Sequence, residues 1–126
     1  MMHDELISFE TAKLAKEKGF RERCIEHYYD DTKDLYRSST PQCYNFGGNT
    51  SDAPTQSLLQ RWLREEKYLF ANVGMAFNGY YYQVIRTDKF DECIGTQIIE
   101  HFNGNKFDTY ELALEDALKY ALENLV

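Results

Sequence analysis

An Asn-Gly dipeptide between two alternating stretches constrains the fold of this chain more than any other local feature. Asn78 and Gly79 separate residues 69–77 from residues 80–86, and both stretches alternate in the β-strand period of two. Asn-Gly accepts the positive φ angles of a type I′ turn, so the pair predicts a two-residue β-hairpin. The predicted register joins Phe77 with Tyr80, Met75 with Tyr82, and Val73 with Val84. These residues share one face with Leu69 and Ala71, which we expect to be the core face.

Three other segments have the signals of helices. The first, residues 7–19, has Ser8 as its N-cap and Gly19 at the position where a C-terminal glycine is favoured. A second helix is predicted to begin near Pro54 or Thr55, and we expect Trp62 on its apolar face to be largely buried.

The third helix is predicted to begin after Asp108 or Thr109, because either residue can cap its first turn. Its apolar residues recur at helical spacing and form a broad face that we expect to be buried. These residues are Tyr110, Ala113, Leu114, Ala117, Leu118, Ala121 and Leu125.

The remaining β-patterned segments complete a fold of the α+β class. Strands are predicted at Cys24–Tyr29, near Asp34–Arg37 and at Ile94–Phe102, the last followed by a turn at residues 103–105. The order α-β-β-α-β-β-β-α has no β-α-β rhythm that would require a parallel sheet. We therefore predict one α+β domain over residues 1–126, with an antiparallel sheet of about five strands. Its three helices pack mainly on one face of the sheet, and residues 38–53 form a mobile loop.

Composition excludes several classes of protein. The chain has 126 residues, and its aromatic content of 15% supplies the apolar area that disordered chains lack. No apolar run approaches the ~20 residues of a membrane span, and the first residues are acidic where a signal peptide is basic. The three cysteines are irregularly spaced, which is typical of reduced thiols. We expect a cytoplasmic protein without membrane association.

Three stretches of the chain form a recognisable set. They are ISFETAKLAKEKGF at 7–20, APT at 53–55 leading into WLRE at 62–65, and FDTY at 107–110. Together they resemble a group of small uncharacterised proteins from gut Bacteroidales and from their phages and mobile elements. The resemblance implies a bacterial cytoplasm and a phage or mobile-element origin. Its motifs are helix caps and core positions, so it implies no catalytic or cofactor-binding residues.

The residues that could bind a metal or act in catalysis do not form a recognisable site. Cys24 and His27 are three residues apart on a predicted strand, so we expect their side chains on opposite faces and no shared metal. Cys93 and His101 share a face by parity, but about 26 Å of strand would separate them. The acidic residues 30–34 have the composition of a turn and lack the glycine and glutamate of a calcium loop. We therefore predict no catalytic residue, cofactor or metal, and no enzymatic activity.

The second face of the predicted sheet is the candidate for binding. If Tyr82 belongs to the core face, Tyr81 points the other way, and a central aromatic residue with aliphatic neighbours is typical of binding hot spots. The predicted interaction surface consists of Tyr81, Ile85, Ile99, Phe70 and His101. The alternative is a face covered by the loop at 38–52.

The function that these features favour is that of a small acidic accessory protein acting through protein contacts or self-association. The net charge of −7 disfavours nucleic acid, and an acidic last helix would steer basic partners towards the protein. One alternative is a weak nucleic-acid binder that uses basic residues of the first two helices. Beside the first helix itself, it would use Arg21, Arg23, Arg61 and Arg64. The other alternative is a small enzyme with a cleft between the loop and the sheet.

Overall fold

The computed structural model describes residues 5–45, 48–87 and 97–126 and confirms the α+β class. In these residues the chain forms three helices and six strands. They are α1 (Phe9–Glu17), β1 (Cys24–Tyr29), β2 (Leu35–Gln42), β3 (Thr50–Ala53), α2 (Gln56–Lys67), β4 (Leu69–Ala76), β5 (Gly79–Thr87), β6 (Gln97–Phe107) and α3 (Tyr110–Asn124). The prediction of one five-stranded sheet covered by three helices is wrong. The strands form two three-stranded antiparallel sheets, ordered β2-β1-β3 and β4-β5-β6.

The chain divides into two compact units, Met1–Leu58 and Leu59–Val126. The first unit contains α1 and the sheet β2-β1-β3, and the second contains the sheet β4-β5-β6 and α3. Helix α2 begins in the first unit and ends in the second.

Helix α1 has the predicted capping residues but spans Phe9–Glu17, two residues shorter at each end than the predicted 7–19. The hydroxyl of Ser8 accepts a hydrogen bond from the Thr11 N–H at 3.3 Å, which satisfies one orphan donor of the first turn. At the other end, Gly19 has a φ of 98° and Phe20 N–H donates to the Ala15 carbonyl at 2.9 Å. This is the Schellman arrangement, in which a glycine in the left-handed region ends the helix.

The first sheet occupies part of the segment predicted as a loop at 38–53. Strand β2 continues to Gln42, and β3 runs antiparallel to β1 so that His27 lies opposite Asp52. The composition of residues 38–53 is rich in Ser, Thr, Asn and Gly, which favours loops locally. Pairing with β1 outweighs that local preference. As a result, Ser51, Asp52 and Ala53 of β3 are all buried in the folded chain.

The hairpin of the second sheet has a different register from the predicted one. Ala76 lies opposite Gly79, Met75 opposite Tyr80 and Val73 opposite Tyr82, so Phe77 and Asn78 are the two turn residues. Neither has a positive φ, so the turn is not of type I′.

A close packing contact accounts for this register. The Tyr81 ring covers Gly74 so closely that an added Cβ would lie 2.3 Å from a ring carbon. A shift of two residues leaves the strand side chains on their predicted faces, so alternation alone could not have distinguished the two registers. The prediction that Met75 and Phe77 belong to the core is wrong, because they lie at the end of β4 and in the turn and are largely exposed.

Strand β6 and helix α3 complete the second unit. The strand continues through the turn predicted at residues 103–105 as far as Phe107, while the predicted strand residues 94–96 lie outside the described residues. Thr109 caps α3 by accepting the Leu112 N–H at 3.1 Å, as predicted. Five of the predicted core residues of α3 are buried, and Leu122 joins them, whereas Tyr110 is exposed. Trp62 of α2 is 7% exposed, which confirms its predicted burial.

Candidate functional site

Helix α3 packs on one face of the sheet β4-β5-β6. On that face Ala71, Tyr82 and Val84 are buried, and the Tyr82 hydroxyl donates to an Asp116 carboxylate oxygen at 2.7 Å. Because side chains alternate along a strand, the residues between them point to the opposite side. We call that opposite side the outer face.

The outer face carries an exposed group of large apolar side chains. Phe102 lies opposite Gln83 and contacts Tyr81 with ring centroids 5.6 Å apart, while Ile99 lies opposite Ile85. Ile99 is 60% exposed and Phe102 is 57% exposed, whereas Tyr81 and Ile85 are half-buried. With Phe70, which is also exposed, these residues form what we call the outer cluster. Its members are Phe70, Tyr81, Ile85, Ile99 and Phe102.

His101 does not belong to this surface, which corrects the predicted set. The register between β5 and β6 shifts between Val84 and Ile85, so Glu100 is an extra residue and His101 lies opposite the buried Val84. The His101 ring stacks on Tyr120 of α3 with centroids 3.6 Å apart. The shift also brings Phe102 to the outer face, and a bulge of this kind leaves no local signal in the sequence.

Charge is sparse around the outer cluster. The outward residues of β4 and β5 described by the structure are all uncharged. They are Phe70, Asn72, Gly74, Ala76, Gly79, Tyr81, Gln83, Ile85 and Thr87. The Arg64 guanidinium lies 5.7 Å from the centroid of the Phe70 ring, so one cation sits next to the face.

A second cluster of chemically capable residues lies inside the sheet β2-β1-β3. The His27 ring is fully buried, with Nδ1 2.7 Å from Asp52 Oδ1 and Nε2 3.1 Å from Ser38 Oγ. Asp52 also accepts the Tyr44 N–H at 2.9 and 3.0 Å through its two oxygens. The sequence could not reveal this network, because β3 brings Asp52 to His27 from 25 residues away.

These three residues have the connectivity of a Ser-His-Asp triad, but Ser38 is not arranged as a nucleophile. Its hydroxyl has one proton and also lies 2.7 Å from the Thr40 carbonyl and 3.2 Å from the Ile25 carbonyl, so two backbone acceptors compete with the His27 ring for that proton. The imidazole has no exposed surface and lies against the rings of Tyr36 and Tyr44, at centroid distances of 5.1 and 4.6 Å. A general base must reach the substrate, so this geometry is that of a buried polar network joining the three strands.

Burial disfavours the thiolate form of the two cysteines that the structure describes, Cys24 and Cys43. Burial raises the pKa of Cys24 to about 12 and also raises the pKa of Cys43, and both shifts oppose the thiolate form that nucleophiles and metal ligands require. Cys24 and His27 are both buried, and the pairing of β1 with β2 is irregular between Cys24 and Glu26, where the extra residues belong to β2. Among the described residues no group of three metal-ligating side chains comes together, and Cys93 lies outside them.

The acidic segment 30–34 has the predicted turn chemistry. Asp31 Oδ1 accepts the Thr32 N–H at 2.8 Å, and Lys33 has a φ of 62°. The Asp30 carboxylate is occupied by Ser51 at 2.6 Å and by Lys13 and Lys16 at 3.1 and 3.3 Å. Burial opposes the ionisation of Asp30, but these hydrogen bonds outweigh it and lower the pKa of the carboxyl. Asp30 therefore ties α1 to β1 and β3.

Outside these clusters, a pocket of about 220 Å³ lies along α3. Its lining residues all belong to that one helix, so it is a surface depression rather than an enclosed cleft. They are Asp116, Lys119, Tyr120, Glu123 and Asn124.

None of the described helices has the length and apolar character that crossing a membrane requires. Comparison of the chain with protein families, with curated proteins and with solved structures gave no match.

Proposed function

We propose that this chain is a small non-catalytic accessory protein, of phage or mobile-element type, that binds a protein partner through the outer cluster. The observation that carries the proposal is a sheet face whose outward β4 and β5 residues are uncharged and on which Ile99 and Phe102 each keep more than half of their surface exposed. Isolated exposed apolar residues are ordinary, but a contiguous group of them marks an interaction surface.

The composition of the face favours a protein over a nucleic acid. Exposed aromatic residues on a sheet can stack on bases, but such sites also need cations along the path of the phosphates. The outward side chains of β4 and β5 supply none, and the whole chain carries −7. The Asn72 and Gln83 amides lie opposite each other between the apolar residues of the face, with Phe102 beside Gln83. Protein interfaces combine apolar area with hydrogen-bonding groups in this way.

The test is capture of partners by wild-type protein and by variants of the outer cluster. The double substitution Ile99→Ser and Phe102→Ser removes the two most exposed residues of the cluster and leaves the face covered by α3 untouched. We expect recovery of specific partners from a Bacteroidales lysate to fall by about tenfold or more, roughly 1.4 kcal/mol. The melting temperature should change by no more than a few degrees, since both side chains are exposed in the folded chain.

The matched control is Leu112→Ser, because Leu112 is a 54% exposed aliphatic residue on α3, away from the outer face. It should bind as the wild type does. Equal recovery with the double variant, or loss of binding with Leu112→Ser alone, would refute the proposal.

A further inference from the structure

Strand β4 is an edge strand with backbone groups that point away from its sheet. The Tyr68 carbonyl accepts the Thr87 N–H at 3.0 Å and Ala76 closes the hairpin opposite Gly79, so even-numbered residues of β4 bond to β5. The N–H and C=O groups of Ala71, Val73 and Met75 therefore face outwards. Gln60 of α2 donates to the Ala71 carbonyl at 2.7 Å. No described residue bonds to the outward groups of Val73 and Met75.

Beyond the Gln60 contact at Ala71, this edge lacks the features with which proteins prevent strands from pairing. Charges, prolines, bulges and short length are the usual protections of a sheet edge. Strand β2 has Arg37 and Pro41, β6 has two register shifts, and β3 has four residues. Among the described edge strands, β4 alone has eight residues with no charge, no proline and a continuous register.

Exposed apolar side chains accompany the bare edge. Met75 is 76% exposed, and Phe77 at the hairpin turn is 100% exposed. Water-exposed side chains of this size gain free energy when a second surface covers them. The same end of the hairpin thus offers unpaired backbone groups and apolar surface.

We propose that two copies of this chain pair antiparallel through β4 and form one continuous sheet. In the symmetric register Gly74 lies on the twofold axis, and Val73 pairs with Met75 of the second copy. Val73 and Met75 each have an outward N–H donor and an outward C=O acceptor. Each residue can therefore bond to the other in the second copy, as a twofold interface requires. The net charge of −7 opposes self-association in general, but β4 has no charged residue, so pairing along this edge places no like charges directly opposite each other.

The test compares Met75→Pro with Met75→Val by sedimentation equilibrium over a concentration series. The Met75 N–H points outwards, so proline removes no hydrogen bond within the hairpin, and the preceding Gly74 tolerates the restriction that proline imposes. We expect wild-type protein and Met75→Val to dimerise below about 1 mM, with Met75→Pro weakened by about tenfold or more.

A second variant covers the case in which Met75→Pro does not fold. Met75→Lys keeps the N–H, replaces a largely exposed side chain, and places two cations near the twofold axis, so it should weaken the dimer to a similar extent. Wild-type protein that stays monomeric up to about 1 mM would overturn the proposal. A folded Met75→Pro variant that dimerises like the wild type would also overturn it.

The same series distinguishes this edge from the outer cluster. The Ile99→Ser and Phe102→Ser double variant should dimerise as the wild type does, since it leaves the β4 backbone intact. A dimer that this variant abolishes and Met75→Pro spares would assign self-association to the outer face instead.

Discussion

At the scale of single residues, burial explains why a few side chains dominate the stability of this chain. Trp62 keeps only 7% of its surface exposed and is the only tryptophan in the sequence. Tyr82 is buried to a similar extent and also donates its hydroxyl proton to Asp116. Each residue therefore supports a separate prediction.

Replacement of Trp62 by alanine should lower the free energy of unfolding by about 3–5 kcal/mol, the usual cost of deleting a buried aromatic side chain. Chemical denaturation followed by circular dichroism measures the loss. In the wild-type protein, tryptophan fluorescence should shift to longer wavelength on unfolding. A loss below about 1 kcal/mol would place Trp62 at the rim of the core.

Tyr82 should make the free energy of unfolding depend on pH in the alkaline range. Burial and the hydrogen bond to Asp116 raise the pKa of Tyr82 from 10.0 to about 12. The pKa of Tyr82 is higher in the folded state than in the unfolded state. The contribution of Tyr82 to the free energy of unfolding is therefore complete below pH ~10 and is lost as the pH rises towards ~12. Tyr82→Phe should flatten the fall of unfolding free energy across that window. Tyr110→Phe, at an exposed position, should keep the wild-type slope.

At the scale of elements, contacts between strands decide features that local sequence leaves open. The contact of the Tyr81 ring with Gly74 belongs to the observed hairpin register, and the His27 network joins β1, β2 and β3. Neither arrangement follows from helix or strand propensity.

Gly74→Ala tests the hairpin register. A Cβ at residue 74 would displace the Tyr81 ring, so we expect a loss of about 1–2 kcal/mol in unfolding free energy. Adding Tyr81→Ala should remove most of that penalty, and a double-mutant cycle measures the coupling between the two positions. Strictly additive effects would mean that the ring does not cover Gly74.

The buried network should behave as a structural unit of the first sheet. Asp52→Ala leaves the His27 ring buried without its carboxylate partner, and we expect a loss of about 3–5 kcal/mol in unfolding free energy. Ser38→Ala, which removes a partly exposed hydroxyl, should cost only about 1 kcal/mol. Equal, small effects of the two substitutions would show that the network contributes little.

At the scale of the whole molecule, net charge governs which partners the chain can approach. The acidic excess opposes association with phosphate backbones, and two of the candidate basic residues are already engaged. Arg21 donates to the Phe20 carbonyl at 3.0 Å, and Arg61 lies 3.7 Å from Glu65.

We therefore expect no gel shift of single-stranded DNA or RNA by about 10 µM protein at about 50 mM salt. The control is the Arg21→Ala and Arg61→Ala double variant, which should give the same result. A shift with the wild type that weakens as salt increases, and that the variant reduces, would favour the nucleic-acid alternative.

The sequence by itself determined the features that depend on neighbours along the chain. The predicted capping residues are those observed: Ser8 and Thr109 cap the first turns of α1 and α3, and Gly19 follows the last turn of α1. A cap depends only on residues within about four positions of the helix terminus. Alternation assigned Tyr82 and Val84 to the buried face, since side-chain direction in a strand depends only on parity. Four of the five residues predicted for the interaction surface lie on the outer face for the same reason.

Only the tertiary structure decided the features that depend on which distant segments pair. The partition of the strands into two sheets, the pairing of β3 with β1 and the hairpin register all rest on contacts across the chain. The exchange of His101 for Phe102 on the outer face has the same origin, because one extra residue at Glu100 reverses the parity of everything that follows it. The alternation of side chains along a strand is a local rule, but the positions of the bulges that interrupt it depend on how the strand packs against other strands.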